Sequence, residues 1–381
     1  MPTVTTGSFD TLEPAIDPAN RITFLLDWEL TMKCNLDCSY CGTGIDGGHD
    51  NTIPHPPVDE CLKTIDFMFE YVNLYMQHKP NGIKYVILNV YGGESLHHPD
   101  IIQILQTVRE RYEKYKESWH LTVTTTSNAI VSKKKLLGII PLIDEFTVSY
   151  HSENTKKQEA QFKENLLTIA KSKARLKCVV LMHAEPRFFQ QCLDMIVWLN
   201  KNAINYFPRQ LDHGLSDIQY NYDAKQVTWF ENLYSIKSYK TNITFDKPSD
   251  MDDKLDLSDL GRSCCGGRQL CQNSNYKDRT SWVENKFPDW YCSVDEFFLY
   301  IKQVNGKIYV NKDCKMNFDG EVGPIGNLND TGTLLSRLKV QLDNHTKPII
   351  QCKKYRCLCG LCAPKSKNLD TYKHIMKKYH L

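Results

Sequence analysis

The chain has 381 residues, of which 41% are hydrophobic, and this is enough for one large domain and a smaller second one. Its formal net charge of +2 excludes the general attraction to nucleic acids or anionic membranes that strongly basic proteins show. No apolar run approaches the roughly 20 residues that a membrane helix needs. Residues 1–17 carry neither the basic start nor the apolar stretch of a secretory signal. We therefore expect a cytoplasmic protein with no nucleic-acid or membrane partner.

Strand-like and helix-like segments alternate between residue 22 and about residue 240. Short apolar and β-branched runs predict six strands, at residues 22–30, 84–90, 120–127, 144–150, 176–183 and 204–207. Helical patterns predict helices at residues 58–78, from 100 to about 117, shortly after 127, at 155–173 and at about 187–202. This alternation predicts βαβ units and a parallel sheet, which makes the fold class α/β, a partial (β/α)6 barrel. Such sheets place their chemistry on loops at the carboxyl ends of the strands.

The composition changes after the predicted barrel. Residues 223–240 predict a further helix, and residues 297–310 predict a hairpin with Asn305-Gly306 as its turn. The predicted divisions are an N-terminal extension at 1–21, a barrel at 22–244, an acidic and polar linker at 245–262, a small cysteine-rich domain at 263–365 and a basic C-terminal helix or tail at 366–381.

Cysteine is the unusual feature of the composition, with fifteen residues unevenly spread. A large chain without an export signal should keep its thiols reduced, so tight clusters indicate metal ligands rather than disulfides. Cys61, Cys178 and Cys192 stand alone, and we expect them to be small buried apolar residues. The others form an N-terminal triplet and a C-terminal group.

The N-terminal triplet consists of Cys34, Cys38 and Cys41, with the spacing C-x3-C-x2-C directly after the first predicted strand. Three thiolates on one loop can hold a [4Fe–4S] cluster and leave one iron open for a small molecule. A structural zinc site, by contrast, is closed by four ligands. Spacing alone favours iron–sulfur, while zinc with a distant fourth ligand and a chance cluster remain as alternatives.

The triplet, with Tyr40 just before its last cysteine, resembles the cluster loop of the radical S-adenosylmethionine (SAM) superfamily. Further motifs match that superfamily in order over residues 22–210. Gly92-Gly93-Glu94 after the second strand resembles its Gly-Gly-Glu motif, Ser127-Asn128 after the third resembles its Thr-Asn-Gly region, and Ser149 resembles the serine-bearing end of its fourth strand.

The resemblance implies that S-adenosylmethionine binds to the open iron of a catalytic cluster held by the three cysteines. It also implies that Glu94 accepts a hydrogen bond from the amino group of the ligand, and that Tyr40 packs beside the adenine. The other implied contacts come from the backbone at Gly92 and Gly93 and from the polar groups of Ser127, Asn128 and Ser149. The alternatives without a binding role are a tight turn at the two glycines and a helix cap at Ser127 and Asn128.

Several neighbouring residues depart from the pattern or are ambiguous. Ala129 follows Asn128 where the superfamily often has glycine. His97 and His98 are expected to be surface residues at a helix start rather than ligands. His151 is expected to be a satisfied loop histidine, with a role in the active site as the alternative.

Nine cysteines follow residue 263, and because a fully ligated cluster takes four thiolates they permit one or two auxiliary [4Fe–4S] clusters. Cys264 is the doubtful member, since adjacent side chains diverge in an extended segment. Cys292, Gly306 and Cys314 resemble the hairpin of the SPASM and twitch auxiliary-cluster domains of the superfamily, with a longer gap after the glycine. The predicted ligands are Cys265, Cys271, Cys292, Cys314, Cys352, Cys357, Cys359 and Cys362, with zinc as an alternative for the last four.

The predicted function is reductive cleavage of S-adenosylmethionine to a 5′-deoxyadenosyl radical that abstracts a substrate hydrogen. A peptide or protein side chain is the favoured target, because related enzymes with auxiliary clusters often modify peptides, and Arg268 could bind a substrate carboxylate. A small molecule such as an amino acid, sugar or nucleoside is the alternative substrate. Flavodoxin or ferredoxin is the expected electron donor. The alternatives of another class are a non-catalytic electron-transfer protein, against which the Gly-Gly-Glu motif counts, and a zinc-binding module.

Overall fold

The computed structural model describes residues 11–12, 21–41, 49–79, 83–211, 222–235, 289–311, 317, 321–347, 349–352, 365–366 and 368–378. The strands are β1 (Thr11–Leu12), β2 (Arg21–Thr31), β3 (Ile83–Gly92), β4 (His120–Ser127), β5 (Glu145–Tyr150), β6 (Arg175–Met182), β7 (Tyr206–Gln210), β8 (Tyr291–Cys292), β9 (Phe298–Lys302), β10 (Lys307–Tyr309), β11 (Gly326–Asn327), β12 (Ile350–Gln351) and β13 (Lys365–Ser366). The α-helices are α1 (Val58–His78), α2 (Ile101–Tyr112), α3 (Lys133–Ile139), α4 (Lys156–Ala170), α5 (Pro186–Lys201), α6 (Ala224–Ser235), α7 (Thr331–Asp343) and α8 (Leu369–Lys378).

Strands β2 to β7 pair in sequence order and all in parallel, which confirms the α/β fold class and all six predicted strands. Side chains alternate along β2: Phe24, Leu26, Trp28 and Leu30 are buried in the core against the helices, while the intervening residues face the other side of the sheet. The isolated cysteines Cys61, Cys178 and Cys192 are fully buried in this core, as expected. No helix within the described ranges combines the length and the apolar character needed to span a membrane.

The predicted helices are also present, and two of them end early. Helix α4 ends at Ala170 rather than at residue 173. Helix α2 ends at Tyr112 rather than near residue 117, and residues 113–118 continue as successive turns. The shortest hydrogen bond among these turns joins the Tyr115 amide to the Tyr112 carbonyl at 2.7 Å. The described part of the helix predicted at 223–240 is α6.

The predicted hairpin at 297–310 is confirmed, with β9 and β10 antiparallel and Gly306 in the left-handed conformation at φ 65°. Its placement was not predicted: β9 lies parallel to β2, so the main sheet has the order β11-β10-β9-β2-β3-β4-β5-β6-β7. Buried side chains reinforce this pairing, since Trp28 Nε1 donates to Gln303 Oε1 at 3.0 Å and the Tyr300 hydroxyl donates to Glu29 at 2.7 Å. A second, small sheet has the order β1-β13-β8-β12.

A cluster of buried charges links the end of α1 to the chain just before β9 and just after α7. Lys347 Nζ lies 2.5 Å from Asp295 Oδ2 and also pairs with Glu296, which in turn pairs with Lys79. Burial alone raises the pKa of Glu296, but the ammonium groups of Lys347 and Lys79 outweigh it and lower that pKa to about 2. These buried ion pairs therefore connect the segments around Asp295 and Lys347 to the end of helix α1.

We predict that Lys347→Met destabilises the protein by about 3–5 kcal/mol, because it removes the shared cation and leaves two buried carboxylates undercompensated. The free energy of unfolding in urea measures this effect. The matched control is Lys339→Met, which breaks an exposed pair between Lys339 and Asp343 and should change that free energy by about 0.5 kcal/mol or less. Equal losses in the two variants would contradict a structural role for the buried cluster.

Candidate functional site

The carboxyl ends of the parallel strands meet at one edge of the sheet, and the cysteine loop packs there against the end of β3. The Gly93 amide donates to the Thr31 carbonyl at 2.7 Å, and the Glu94 amide donates to the Lys33 carbonyl at 2.7 Å. A Cβ atom on Gly92 would lie 2.1 Å from the Thr31 oxygen, and one on Gly93 would lie 2.4 Å from the Lys33 oxygen. Both glycines are thus required for close backbone packing between the cysteine loop and β3.

Glu94 lies at the centre of the site with 1% of its surface exposed. Its carboxylate accepts three hydrogen bonds: from the Leu96 amide at 3.0 Å, the Ser127 hydroxyl at 2.7 Å and the Asn128 amide at 2.6 Å. Burial raises the pKa of Glu94 to about 7, and the three hydrogen bonds oppose that rise. Glu94 is therefore balanced between its two protonation states near neutral pH.

Ser127 and Asn128 form hydrogen bonds with Glu94 and do not cap the next helix. The helix-cap alternative is wrong for them, because the cap of α3 is Ser132, whose side chain accepts from the Lys135 amide. The Asn128 side chain donates to Asn35 Oδ1 at 2.8 Å and its Nδ2 lies 3.8 Å from Cys34 Sγ. Asn128 therefore connects the end of β4 to the cysteine loop.

Ala129 adopts a left-handed backbone conformation with φ 54°, which is the conformation that favours glycine. Local hydrogen bonds support it: the Ala129 amide donates to Ser127 Oγ at 2.8 Å, and the Ile130 amide donates to Asn128 Oδ1 at 2.9 Å. The position where the superfamily often has glycine thus keeps a glycine-like conformation in this chain.

His151 is the site residue that sequence reasoning undervalued. Both ring nitrogens have partners, but those partners belong to the site: Nε2 lies 2.9 Å from Ser149 Oγ, and Nδ1 lies 2.8 Å from the Tyr40 hydroxyl and 3.3 Å from Cys38 Sγ. The imidazole also stacks parallel to the Tyr40 ring at a centroid distance of 5.9 Å. Burial lowers the pKa of His151 to about 4, although the charge of Glu153 acts in the opposite direction and raises it. The ring is therefore neutral at neutral pH.

Two further residues that the sequence did not single out hold the cysteine loop from the neighbouring strand ends. Glu153 accepts hydrogen bonds from the Ser39 amide at 2.8 Å and from the Ser39 hydroxyl. His183, just after β6, places Nε2 3.4 Å from Glu153 and its ring edge-on to Tyr40. The signal that could have found them is their position near the ends of predicted strands: His183 is the last residue of the strand predicted at 176–183, and Glu153 lies three residues after the one predicted at 144–150.

The three thiols of the loop influence one another electrostatically. Burial, with a smaller contribution from the charge of Cys41, raises the pKa of Cys34 to about 11 and that of Cys38 to about 12. No group of three or more His, Cys, Asp or Glu side chains in the described ranges is arranged to hold a metal ion. The donor set is nevertheless chemically suited to a thiolate-ligated cluster, because three soft sulfur ligands share one short loop.

His97 and His98 differ from each other. His97 is exposed, as expected, whereas His98 is fully buried, so its prediction as a surface residue is wrong. The reason is that His98 Nε2 lies 3.0 Å from the Pro56 carbonyl and Nδ1 accepts from the Asp100 amide at 3.1 Å. His98 thereby fixes the segment before α1 against the start of α2.

Two of the nine C-terminal cysteines lie within the described residues. Cys292 and Cys352 are both buried, and the Cys352 amide donates to the Trp290 carbonyl at 2.8 Å, next to the pairing of Cys292 with Ile350. Cys292 lies opposite Ile350, and residues opposite each other on paired strands share a face of the sheet. Cys352 is two residues after Ile350 and so lies on that face as well. The other residues with predicted roles lie outside the described residues: Cys264, Cys265, Arg268, Cys271, Cys314, Cys357, Cys359 and Cys362.

No protein-family model matches the chain, and no curated protein matches its sequence. Among solved structures, native anSMEcpe with bound AdoMet (S-adenosylmethionine) and Kp18Cys peptide is 11% identical, covers 94% of this chain and 96% of its own, and has a TM-score of 0.50. Native anSMEcpe with bound AdoMet matches over the same shares at 11% identity, with a TM-score of 0.49. At this identity the first likeness shows a shared fold over nearly the whole of both chains.

We predict that the ionisation of Glu94 makes the protein less stable as pH rises. The unfolded carboxyl loses its proton near pH 4.5 and the folded one near pH 7, so the folded state binds more protons in between and its stability falls across that window. The whole effect is on the order of 3 kcal/mol. Urea unfolding at a series of pH values measures it, with Glu94→Gln as the variant that cannot titrate. Parallel pH curves for the two proteins would contradict the raised pKa.

Proposed function

We propose that this chain is a radical SAM enzyme that holds a [4Fe–4S] cluster on Cys34, Cys38 and Cys41. The observation that carries the proposal is the buried carboxylate of Glu94, whose hydrogen bonds join the loops after β3 and β4. Through Asn128 the same network reaches the cysteine loop. Motifs that lie far apart in sequence thus belong to one connected site, as binding of a single cofactor requires.

The chemistry supplied when the cluster and S-adenosylmethionine are bound is one-electron cleavage of a carbon–sulfur bond, which gives a 5′-deoxyadenosyl radical that abstracts a substrate hydrogen. Because the thiols of Cys34 and Cys38 have raised pKa values, cluster binding must displace their protons. Ionised Glu94 would accept a hydrogen bond from the ligand's ammonium group, an attraction that also favours the charged carboxylate.

Other groups near the loop fit a polar, aromatic ligand. The Tyr40 ring is buried between His151 and His183 and supplies an aromatic surface next to the cysteines. Both side-chain polar atoms of Asn154 are buried without a hydrogen-bond partner among the described residues, so a polar ligand at this loop would satisfy them. We assign the backbone at Gly92 and Gly93, together with Ser127 and Ser149, to the remaining S-adenosylmethionine contacts.

The inner face of the sheet carries polar side chains below this site. Asn89 donates to Asp27 at 3.1 Å, and the Thr124 hydroxyl donates to Asn89 at 3.3 Å, which makes a polar layer across β2, β3 and β4. Tyr85 and Ile87 pack with Leu25 as a small apolar cluster earlier along the strands. We expect a substrate to approach from the carboxyl edge of the sheet, where the cysteine loop lies.

We infer that the substrate is a peptide or protein side chain. The solved structure that shares the fold over nearly the whole chain contains a peptide together with AdoMet. The predicted auxiliary clusters favour the same class of chemistry, and Cys292 and Cys352 on one buried face are suited to share one of them. The expected electron donor is flavodoxin or ferredoxin, and the expected location is the cytoplasm.

We predict that Cys38→Ala abolishes formation of 5′-deoxyadenosine, because two thiolates cannot hold a cubane with a single open iron. The measurement is product formation by anaerobically reconstituted, dithionite-reduced protein with S-adenosylmethionine. Cys61→Ala is the matched control, since Cys61 is a buried core residue of α1, and it should retain the activity. Unchanged turnover in Cys38→Ala, or zinc without iron and sulfide in the purified protein, would refute the proposed function.

We predict that Cys292→Ala lowers the iron content by up to about four atoms per chain, the content of one auxiliary cluster. Cleavage of S-adenosylmethionine without substrate should persist, because the ligands of the catalytic cluster are intact. Iron and sulfide analysis together with 5′-deoxyadenosine formation measures both effects. Cys178→Ala, in the barrel core, is the control for thiol removal and should keep all its iron. Full iron content in Cys292→Ala would rule out this cysteine as a ligand.

A further inference from the structure

His151 contacts two residues of the cysteine loop, Cys38 and Tyr40. His151 Nδ1 lies 3.3 Å from Cys38 Sγ and 2.8 Å from the Tyr40 hydroxyl. Tyr40 is held in place by parallel stacking on His151 and by the edge of the His183 ring. A side chain from the loop after β5 therefore contacts one of the three proposed ligand atoms.

The direction of these hydrogen bonds follows from the chemistry of the sulfur. A metal-bound thiolate only accepts hydrogen bonds, so a stable contact with His151 Nδ1 requires the ring proton on that nitrogen. Nε2 must then accept, and Ser149 Oγ at 2.9 Å can donate to it, while the Ser127 carbonyl at 3.4 Å is the longer alternative for the same hydroxyl proton. The shorter contact favours the tautomer in which His151 faces Cys38 as a donor.

We infer that His151 is a positioning residue whose Nδ1–H, shared with the Tyr40 oxygen, donates a hydrogen bond to the Cys38 sulfur and thereby raises the midpoint potential of the cluster. This inference rests on the proposed function, because it needs a cluster on the loop. Hydrogen bonds to a ligand sulfur withdraw electron density from the iron, which makes the reduced cluster easier to form. The same bond orients Cys38 within the loop.

The contact at Cys38 differs from those at Cys34. The Cys34 sulfur receives the Leu36 backbone amide at 3.4 Å, and the Asn128 side chain approaches it only to 3.8 Å. Cys38 has the shorter side-chain contact, at 3.3 Å from His151. The position of Cys38 therefore depends on the loop after β5 as well as on the cysteine loop itself.

The test is an EPR-monitored redox titration of the full chain after anaerobic reconstitution, with iron and sulfide counted in each sample. His151→Leu removes the donor, and we expect about a tenfold smaller equilibrium constant for one-electron reduction, a midpoint potential about 59 mV more negative. His151→Asn keeps an N–H group near the position of Nδ1 and should restore most of the potential.

His97→Leu is the matched control, because it removes an exposed histidine near the Gly-Gly-Glu loop, and its potential should equal that of the wild type. An unchanged potential in His151→Leu at full iron content would overturn the inference and leave the proposed function standing. Loss of iron in His151→Leu would overturn it too, since His151 would then be a ligand or required for assembly. A wild-type protein that takes up no cluster would instead refute the proposed function itself.

Discussion

The buried carboxylate of Glu94 is the interaction on which the arrangement of the site depends. A carboxylate away from water is very unfavourable without donors, and here the donors come from Leu96, Ser127 and Asn128. Since these groups lie on the loops after β3 and β4, they hold the two strand ends in a fixed relation. The backbone bond from the Glu94 amide to the Lys33 carbonyl extends the same constraint to the cysteine loop. The site is therefore organised by the chain before any ligand binds, which lowers the entropy lost on binding.

The C-terminal part of the chain is attached to the barrel at the strand that leads into this loop. Strand β9 pairs with β2, and Glu29 near the end of β2 is bound by Tyr300 and lies 3.5 Å from Lys302. The pairing also covers an edge of β2 that would otherwise offer unpaired backbone groups. As a result, the described segment after Cys292 joins the main sheet beside the strand that leads to the cysteine loop.

Local periodicity was sufficient to predict the barrel. Helix α1 has the predicted bounds, because its apolar residues recur at helical spacing on one buried face. The parallel pairing of β9 with β2 was not predictable in this way, since it joins segments that are distant in sequence and no local pattern encodes it. The charges around Lys347 were missed for a related reason: in a sequence, a lysine that neutralises buried carboxylates looks like an exposed one. Burial of His98 likewise depends on a distant carbonyl, that of Pro56.

The sequence motifs located most of the site. His151, whose role they did not indicate, could have been predicted from its position in the sequence. Side chains two apart on a strand share a face, so Ser149 at the end of β5 predicts the same side for His151. Ala129 illustrates the opposite case, in which a departure from the expected motif changes little. Its left-handed conformation costs about 1–2 kcal/mol relative to glycine, and the bonds from Ser127 and Asn128 to the following amides offset part of that cost. A site held by a few hydrogen bonds between strand ends can thus keep its geometry when one of its residues departs from the expected type.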